Sequence, residues 1–495
     1  MLARRVPRTL LARRVPRTLL AASIVCWAVS LSALVVQRHN QFDTFDFDLG
    51  IHDQSIWLLA YGKWFNTVCG LPVFGHHAMF AYYVLVPFVW LGGGPNLWNV
   101  FQVVALALAA VPVFLLARDR LRNEWVALCF GVAWLLLPTT GFLAWETIHP
   151  ETMALPFFIT GYYLATTRPE GPERQARRHN LVTAAFLLAA VLWKEDIALA
   201  CIGMGVVLTF RGRRRFGPAL FVVAVAYFGV VGLWMVPHLA GDTTAYTGLF
   251  GVLGDTPGEM VRTSMAHPSL FFQRLSDNNW LSYVWQVYAP VGMLPFLAPV
   301  VLVMSLPMML INLLTINDFT WAMYYHYQAV PIATAMIAAV EGAAFLARRK
   351  VVLGRVAAGV VLASALVTSS MWGILPFSSN YDLGWWSPDD DPAVAGWKAA
   401  LERVGPTDVV SAHYKAVPHL THREVVYTFP NPWIRSNFLN DPARFVSPSE
   451  VTWLVIQDGT LQGKEEMMLS DLLARGEYGD AQTVAGVTSY RRLLP

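Results

Sequence analysis

The sequence predicts an all-α polytopic membrane protein of about eleven transmembrane helices, followed by a small C-terminal α/β domain. Three observations lead there. Of 495 residues, 55% are hydrophobic and only 14% are charged, a balance foreign to soluble globular domains and ordinary for a chain that lies mostly in a bilayer. Apolar runs recur at the length of about 20 residues needed to cross about 30 Å of hydrocarbon. From about Phe377 these runs shorten, and Pro, Asp and His appear among them. The net charge of +3 matters less than its distribution: Arg and Lys are bunched in short loops between apolar runs. No broad basic face with interleaved aromatics exists, which argues against a nucleic-acid partner. Cys26, Cys69, Cys129 and Cys201 have neither the pattern of a disulfide framework nor zinc-ligand spacing.

The chain opens with the direct repeat LARRVPRTL at 2–10 and 11–19, and residues 1–17 read as a basic cytoplasmic leader. The run 18–37 is of spanning length and reads as an uncleaved first helix, because a cleaved signal peptide has a shorter apolar core and a small-residue cleavage site. An outer loop at 38–78 follows, opening with FDTFDFDLGIHDQ. Acidic side chains are unfavourable by about 2.5–3.5 kcal/mol each at the bilayer centre, so Asp43, Asp46, Asp48 and Asp53 belong to a membrane-surface loop. The pattern 49–61, with Ile51, Ile56, Trp57, Leu58 and Leu59, predicts an amphipathic helix along the bilayer surface. The apolar stretch 78–92 is short, contains Pro87 and ends in glycines, and reads as re-entrant or surface-lying. Spanning runs follow at 97–117, 124–143, 152–168, 181–193, 197–210, 216–237, 328–347 and 351–372. Between them, 284–316 is broken by Pro290, Pro295, Pro299 and Pro307 and reads as two short helices. Together 18–376 form the transmembrane domain. In 377–495, VVSAHY, EVVYTF and VTWLVIQD read as strands, and 391–404 and 467–475 as helices, giving a soluble domain of about 120 residues.

Basic clusters at 4–17, 118–122, 168–178, 211–215 and 348–355 orient this scheme. The positive-inside rule puts all five in the cytoplasm; about eleven crossings allow that and leave the C-terminal domain extracytoplasmic. Polar clusters that played no part in that assignment then fall on the outer side. They are the Asp43–Asp53 loop, His76 and His77, Glu146, His149 and Glu151 of WETIHPE, Lys194, Glu195 and Asp196 of WKED, and His326 of YYHYQ. Ionisable groups gathered at helix ends are expected to line an active-site cavity open to the outside.

Each cluster also has a plainer reading. Asp48 precedes a helical pattern and can serve as its N-cap, worth about 1 kcal/mol. Pro150 suits a first helical position, where Glu151 would favour the helix N-terminus. Lys194, Glu195 and Asp196 can form an internally paired ionic turn. His77 and His326 can be interfacial residues.

The functional reading is chemistry on a lipid-held substrate. A lipid-phosphate sugar donor keeps its chain in the bilayer and its phosphate at the interface, and an acceptor hydroxyl arrives from outside. A carboxylate beside that hydroxyl acts as general base, with Asp48 the expected base, Asp46 its partner or a metal ligand, and Asp53 a third candidate. Lys194, His77 and His326 are candidates for offsetting charge on the departing phosphate, with Glu195, Asp196, His149 and Glu151 completing the substrate-binding set. A divalent metal, Mg or Mn, would be held by Asp46 and Asp48.

On these residues the chain resembles the GT-C class of glycosyltransferases, which use polyprenyl-phosphate sugars. Asp46-Phe47-Asp48 matches their Asp-containing motif after the first helix, Glu146 and Glu151 match acidic residues of the second outer loop, and a C-terminal soluble domain is common among them. Asp48-Leu49-Gly50 departs from the Asp-Glu pair of some members, which leaves open which of Asp46, Asp48 and Asp53 is the base. A second resemblance, over most of the chain, is to a family of bacterial polytopic membrane proteins known only as a domain of unknown function. It rests on DLGIHDQ, GHH, HPE, WKED, YYHYQ and PHLTHREVVYTFP. The two together imply a multi-pass plasma-membrane enzyme whose partners are the bilayer, a polyprenyl-phosphate sugar and a cell-envelope glycan or protein acceptor. The competing readings are a lipid or solute transporter or flippase, which would carry ionisable groups near the midplane, and a non-catalytic envelope assembly protein using its outer domain.

Overall fold

The structure is a computed structural model that describes residues 8–167, 173–241, 248–386, 391–438 and 446–493. The chain divides into two compact units. The first comprises Met1–Ser32, Phe101–Gly232 and Tyr246–Trp385; the second comprises Ala33–Val100, Leu233–Ala245 and Trp386–Pro495.

Among the described residues, five helices are long and apolar enough to cross a membrane: Arg14–Asn40, Pro95–Leu121, Phe216–Leu239, His326–Arg349 and Val351–Trp372. A sixth is the pair Glu124–Leu136 and Pro138–Trp145, bent by 45°. The bend falls at Leu137, whose backbone is extended, as expected of a residue preceding proline. The first repeat of the leader lies partly outside the described residues, while Arg8 onward already belongs to a helix running to Asn40. Burial sorts the spans. In His326–Arg349, 89% of the apolar window is buried, against 17% in Phe216–Leu239. The first is therefore a central helix of the bundle, and the second carries Val222, Val223 and Val225 outward, as a lipid-facing helix does. Small residues let backbones approach. A Cβ on Gly342 would lie 2.4 Å from the Leu294 carbonyl oxygen, and one on Gly203 would lie 2.5 Å from that of Val303.

The segment expected as two short helices is more finely divided. It forms Trp280–Tyr288, Ala289–Val291, Leu294–Leu297, Pro299–Leu302 and Leu306–Leu314. Each piece after the first has proline in its first or second position. Proline lacks the N–H that would continue the preceding helix, yet its fixed φ suits a helix start. Helix Phe80–Trp90 rises about 16 Å at 1.5 Å per residue, roughly half the hydrocarbon thickness, so it is too short to cross.

The second unit contains a hairpin, β1 (Phe65–Asn66) with β2 (Leu71–Pro72), and a five-stranded sheet of β3 (Val410–Ala412), β4 (Val426–Thr428), β5 (Trp453–Gln457), β6 (Tyr478–Val484) and β7 (Val487–Arg492). The order is β4-β3-β5-β7-β6. β3 pairs in parallel with β4 and β5, and β7 runs antiparallel to β5 and β6. The expected strands VVSAHY, EVVYTF and VTWLVIQD supply β3, β4 and β5, and the expected helices appear as Ala393–Glu402 and Lys464–Ala474. The β6–β7 hairpin is additional. One core joins Phe42, Ile51, Val68 and Leu71 to Trp397, Val410, Val426 and Trp453. The C-terminal sheet and the helix Ala393–Glu402 thus share their interior with part of the loop 38–78. Burial of Ile51, Ile56, Leu58 and Leu59 gives the helix Ile51–Ala60 a protein partner for the apolar face assigned to the bilayer surface.

Candidate active site

In the first unit, four helix ends bring together residues from widely separated parts of the chain. Glu146 follows the helix Pro138–Trp145. His149 is the N-cap of the helix Pro150–Thr166, with Pro150 in its first turn. Lys194, Glu195 and Asp196 form the turn before the helix Ile197–Phe210, and His326 opens the short helix leading into Ala329–Arg349. His326 Nδ1 lies 2.8 Å from Glu146 Oε1, and its Nε2 lies 3.7 Å from Glu151 Oε1. Lys194 Nζ donates to Glu151 Oε1 at 2.9 Å and lies 3.4 Å from Asp196 Oδ2. The rings of His149 and His326 stack at 4.0 Å. Glu195 packs beside Gly232. Lys194 therefore pairs across helices as well as within its own turn.

The cluster is more closed than an open cavity would be. Glu146, His149, Glu151, Lys194 and Glu195 are buried, while Asp196 and His326 are half-buried. Among the described residues, it gathers four carboxylates with one lysine and two imidazoles. Buried carboxylates demand protons or cations. Burial drives the Asp196 carboxyl well above its usual range; Lys194 opposes this, and Glu151 and Glu195 add to it. Glu151 Oε2 and Asp196 Oδ1 are buried without a hydrogen-bond partner among the described residues. Such buried oxygens call for a proton, a water or an ion to meet them. Glu146, His149 and His326 each present one ligand atom, all within 4.8 Å of one another. Two imidazoles and a carboxylate suit a transition metal such as Fe or Zn better than Mg. An aromatic wall adjoins the cluster. The ring of Trp385 lies 4.9 Å from Phe142, 5.0 Å from Trp145 and 5.6 Å from Tyr324.

Gln102, fully buried, holds the turn carrying Glu146 and His149. Its Nε2 donates to the carbonyls of Leu143 and Thr147, and its Oε1 accepts from the His149 N–H. Thr147 has φ of +75°, a rare conformation for a β-branched residue that this clamp sustains. Sequence reading passed over Gln102, although an amide within the apolar run 97–117 was the available sign.

The acidic loop belongs to the second unit. Asp46 and Asp48 lie in one wide helical turn, Asp46–Gly50, that leads into Ile51–Ala60. Asp48 is not an N-cap: the turn starts earlier, after Phe45, and neither segment has a side-chain cap. Asp46 accepts a hydrogen bond from the Thr428 hydroxyl. Burial pushes its carboxyl up to about 6 from 3.8, and Asp48 adds to the rise against the lowering effect of Thr428. Asp53 is fully buried. It accepts from the Trp98 indole at 2.6 Å and the Thr421 hydroxyl, and lies 3.2 Å from His422 Nε2. His76 stacks on Phe438 at 5.7 Å and meets His77 at 4.6 Å. The three-ligand group with metal spacing among the described residues is thus Glu146–His149–His326 rather than one built on Asp46 and Asp48.

The raised Asp46 carboxyl makes stability depend on pH. The folded state holds its proton more tightly than the unfolded chain, so this contribution is present below 3.8 and is lost as pH rises to about 6. In Asp46→Asn the dependence is absent. The melting temperature of the variant relative to the unaltered protein should climb between pH 4 and 6 and level off above; a constant difference would show that Asp46 ionises freely.

The fold these elements build is shared with solved structures. It matches ArnT from Cupriavidus metallidurans bound to undecaprenyl phosphate with a TM-score of 0.53, at 13% identity, over 95% of this chain and 98% of that one. It matches ArnT in the apo state equally, over 96% and 98%. No curated protein sequence matches the chain. A family model described as predicted membrane protein (DUF2079) matches residues 38–488, and the chain belongs to that family.

Proposed function

We propose that the chain is an integral membrane glycosyltransferase that moves a sugar from a polyprenyl-phosphate donor to a hydroxyl of a cell-envelope glycan or protein. The observation that carries this reading is the overlap of almost the whole chain with the fold of ArnT bound to undecaprenyl phosphate. The reading takes eleven crossings. Besides the six spans, Pro150–Thr166, Glu173–Val191 and Ile197–Phe210 supply three, and the broken segment 280–314 supplies two. The N-terminus is then cytoplasmic, and the ends carrying Glu146, Lys194 and His326 lie outside.

In the reaction the acceptor oxygen attacks the anomeric carbon, the bond from that carbon to the phosphate oxygen breaks, and the acceptor proton passes to a carboxylate. Asp48 is the proposed base, with Asp46 beside it. The saturated surroundings of Asp53 support a scaffolding role. Lys194, with the His149–His326 pair, offsets charge on the departing phosphate. Glu146, His149 and His326 would hold a divalent metal, which when bound supplies further positive charge at the phosphate. His77 and Glu195 are proposed as lesser substrate contacts.

The test is purified protein in vesicles with a panel of radiolabelled polyprenyl-phosphate sugars and membrane acceptors. Transfer of label with release of polyprenyl phosphate is expected. Movement of labelled lipid between leaflets without transfer would replace the enzyme by a flippase.

A further inference from the structure

The helices that carry the Lys194 cluster have a second polar assembly at their other ends. Arg120 closes the helix Ala110–Leu121, Thr166 ends Pro150–Thr166, Arg211 and Arg213 follow Ile197–Phe210, and Glu341 and Arg348 lie late in Ala329–Arg349. These six side chains border a cavity of about 440 Å³. Glu341 is buried and organises the wall. Its Oε1 accepts from Arg120 Nε at 3.0 Å, Arg211 Nη1 at 2.8 Å and the Tyr162 hydroxyl at 3.1 Å. Each guanidinium meets the carboxylate through one nitrogen, not as a two-bond fork, so further N–H donors remain on the side chains that face the cavity. Arg213 is braced by Asn180 Oδ1 at 2.6 Å and by the ring of Phe216. Arg348 is exposed at the rim, over Phe345.

Among the described residues, four guanidiniums and one carboxylate thus border a half-open space. Topogenic arginines need only sit in the cytoplasm; they need neither a cavity nor a buried glutamate fixing two of them. Guanidinium is weakly hydrated for a cation, and its planar fork matches the oxygens of phosphate. Basic pockets between transmembrane helices on the cytoplasmic side take the headgroups of anionic lipids, and the positive-inside rule assigns this end to that side. We propose that this cavity is an anion site for a phosphate or phosphodiester, supplied either by an anionic phospholipid headgroup or by free phosphate. It is separate from the sugar-transfer reading and stands without it.

The test is thermal unfolding of the full chain in neutral detergent, titrated with short-chain phosphatidylglycerol, phosphatidylcholine of equal chain length, or inorganic phosphate. Stabilisation by phosphatidylglycerol but not by phosphate or phosphatidylcholine identifies a lipid headgroup; stabilisation by phosphate identifies the free anion. The double variant Arg213→Gln/Arg348→Gln leaves the Glu341 ion pairs intact and should raise the half-saturating concentration roughly tenfold or more. Arg349→Gln/Lys350→Gln, just beyond the cavity, should not. The site is overturned if neither anion stabilises the protein, if phosphatidylcholine does so equally, or if both double variants respond alike.

Discussion

Replacing Lys194 by methionine should destabilise the protein by about 3–5 kcal/mol, the usual consequence of leaving a buried charge without its partner. Lys194 and Glu151 are both buried and meet at 2.9 Å. Glu151 has a second oxygen that already lacks a hydrogen bond among the described residues, so losing the ammonium leaves its carboxylate to the imidazoles of His149 and His326, the latter at 3.7 Å. The double variant Lys194→Met/Glu151→Gln removes both charges and should recover most of the melting temperature, because the neutral pair no longer needs compensation. Turnover separates the two roles of the lysine. If Lys194 offsets phosphate charge, the double variant regains stability but not sugar transfer. Recovery of both together would reduce Lys194 to a structural pairing.

The second large effect is expected at the acidic loop, where two aspartates five positions apart should respond in opposite ways. Asp48→Asn should lower sugar transfer by about 10²–10⁴-fold, the range associated with a general base, in protein that still expresses and folds. Asp53→Asn should lower the melting temperature. Trp98, Thr421 and His422 converge on its two oxygens, and an amide keeps only one acceptor. The loss is about 1–3 kcal/mol for a buried donor left unmet. Thermal melts and transfer rates on the same preparations check both. Full turnover in Asp48→Asn would remove it from the mechanism.

The contrast between these aspartates shows where sequence reading reaches its limit. FDTFDFDLGIHDQ announces a membrane-surface acidic loop through composition alone. What separates Asp53 from Asp48 is a set of partners that includes Thr421 and His422, far along the chain, and no local pattern reports them. The same holds for Glu146 and His326: each stood out as a polar residue near an apolar run, but their pairing depends on how helices pack. Strands β3 to β5 were legible because they are continuous apolar runs with buried faces. The β6–β7 hairpin was not, since β6 is largely exposed and shows no apolar alternation. Its turn uses Ala485 and Gly486, both with positive φ, in place of the Asn-Gly or Asp-Gly pair that usually signals such a turn. The prolines of 284–316 announced breaks, but their number understated how many pieces would form, because each proline both ends one helix and starts the next.

The interior shared by Phe42, Ile51 and Val68 with Trp397 and Val426 constrains genetic dissection of this family. A truncation at the last hydrophobic helix would strip the aspartate-bearing segment of half its support, and loss of activity in such a deletion would say nothing about what the C-terminal portion recognises. A chimaera meant to exchange specificity has to transplant both stretches from the same parent, since two homologues can share an outline while their interlocking side chains differ in size.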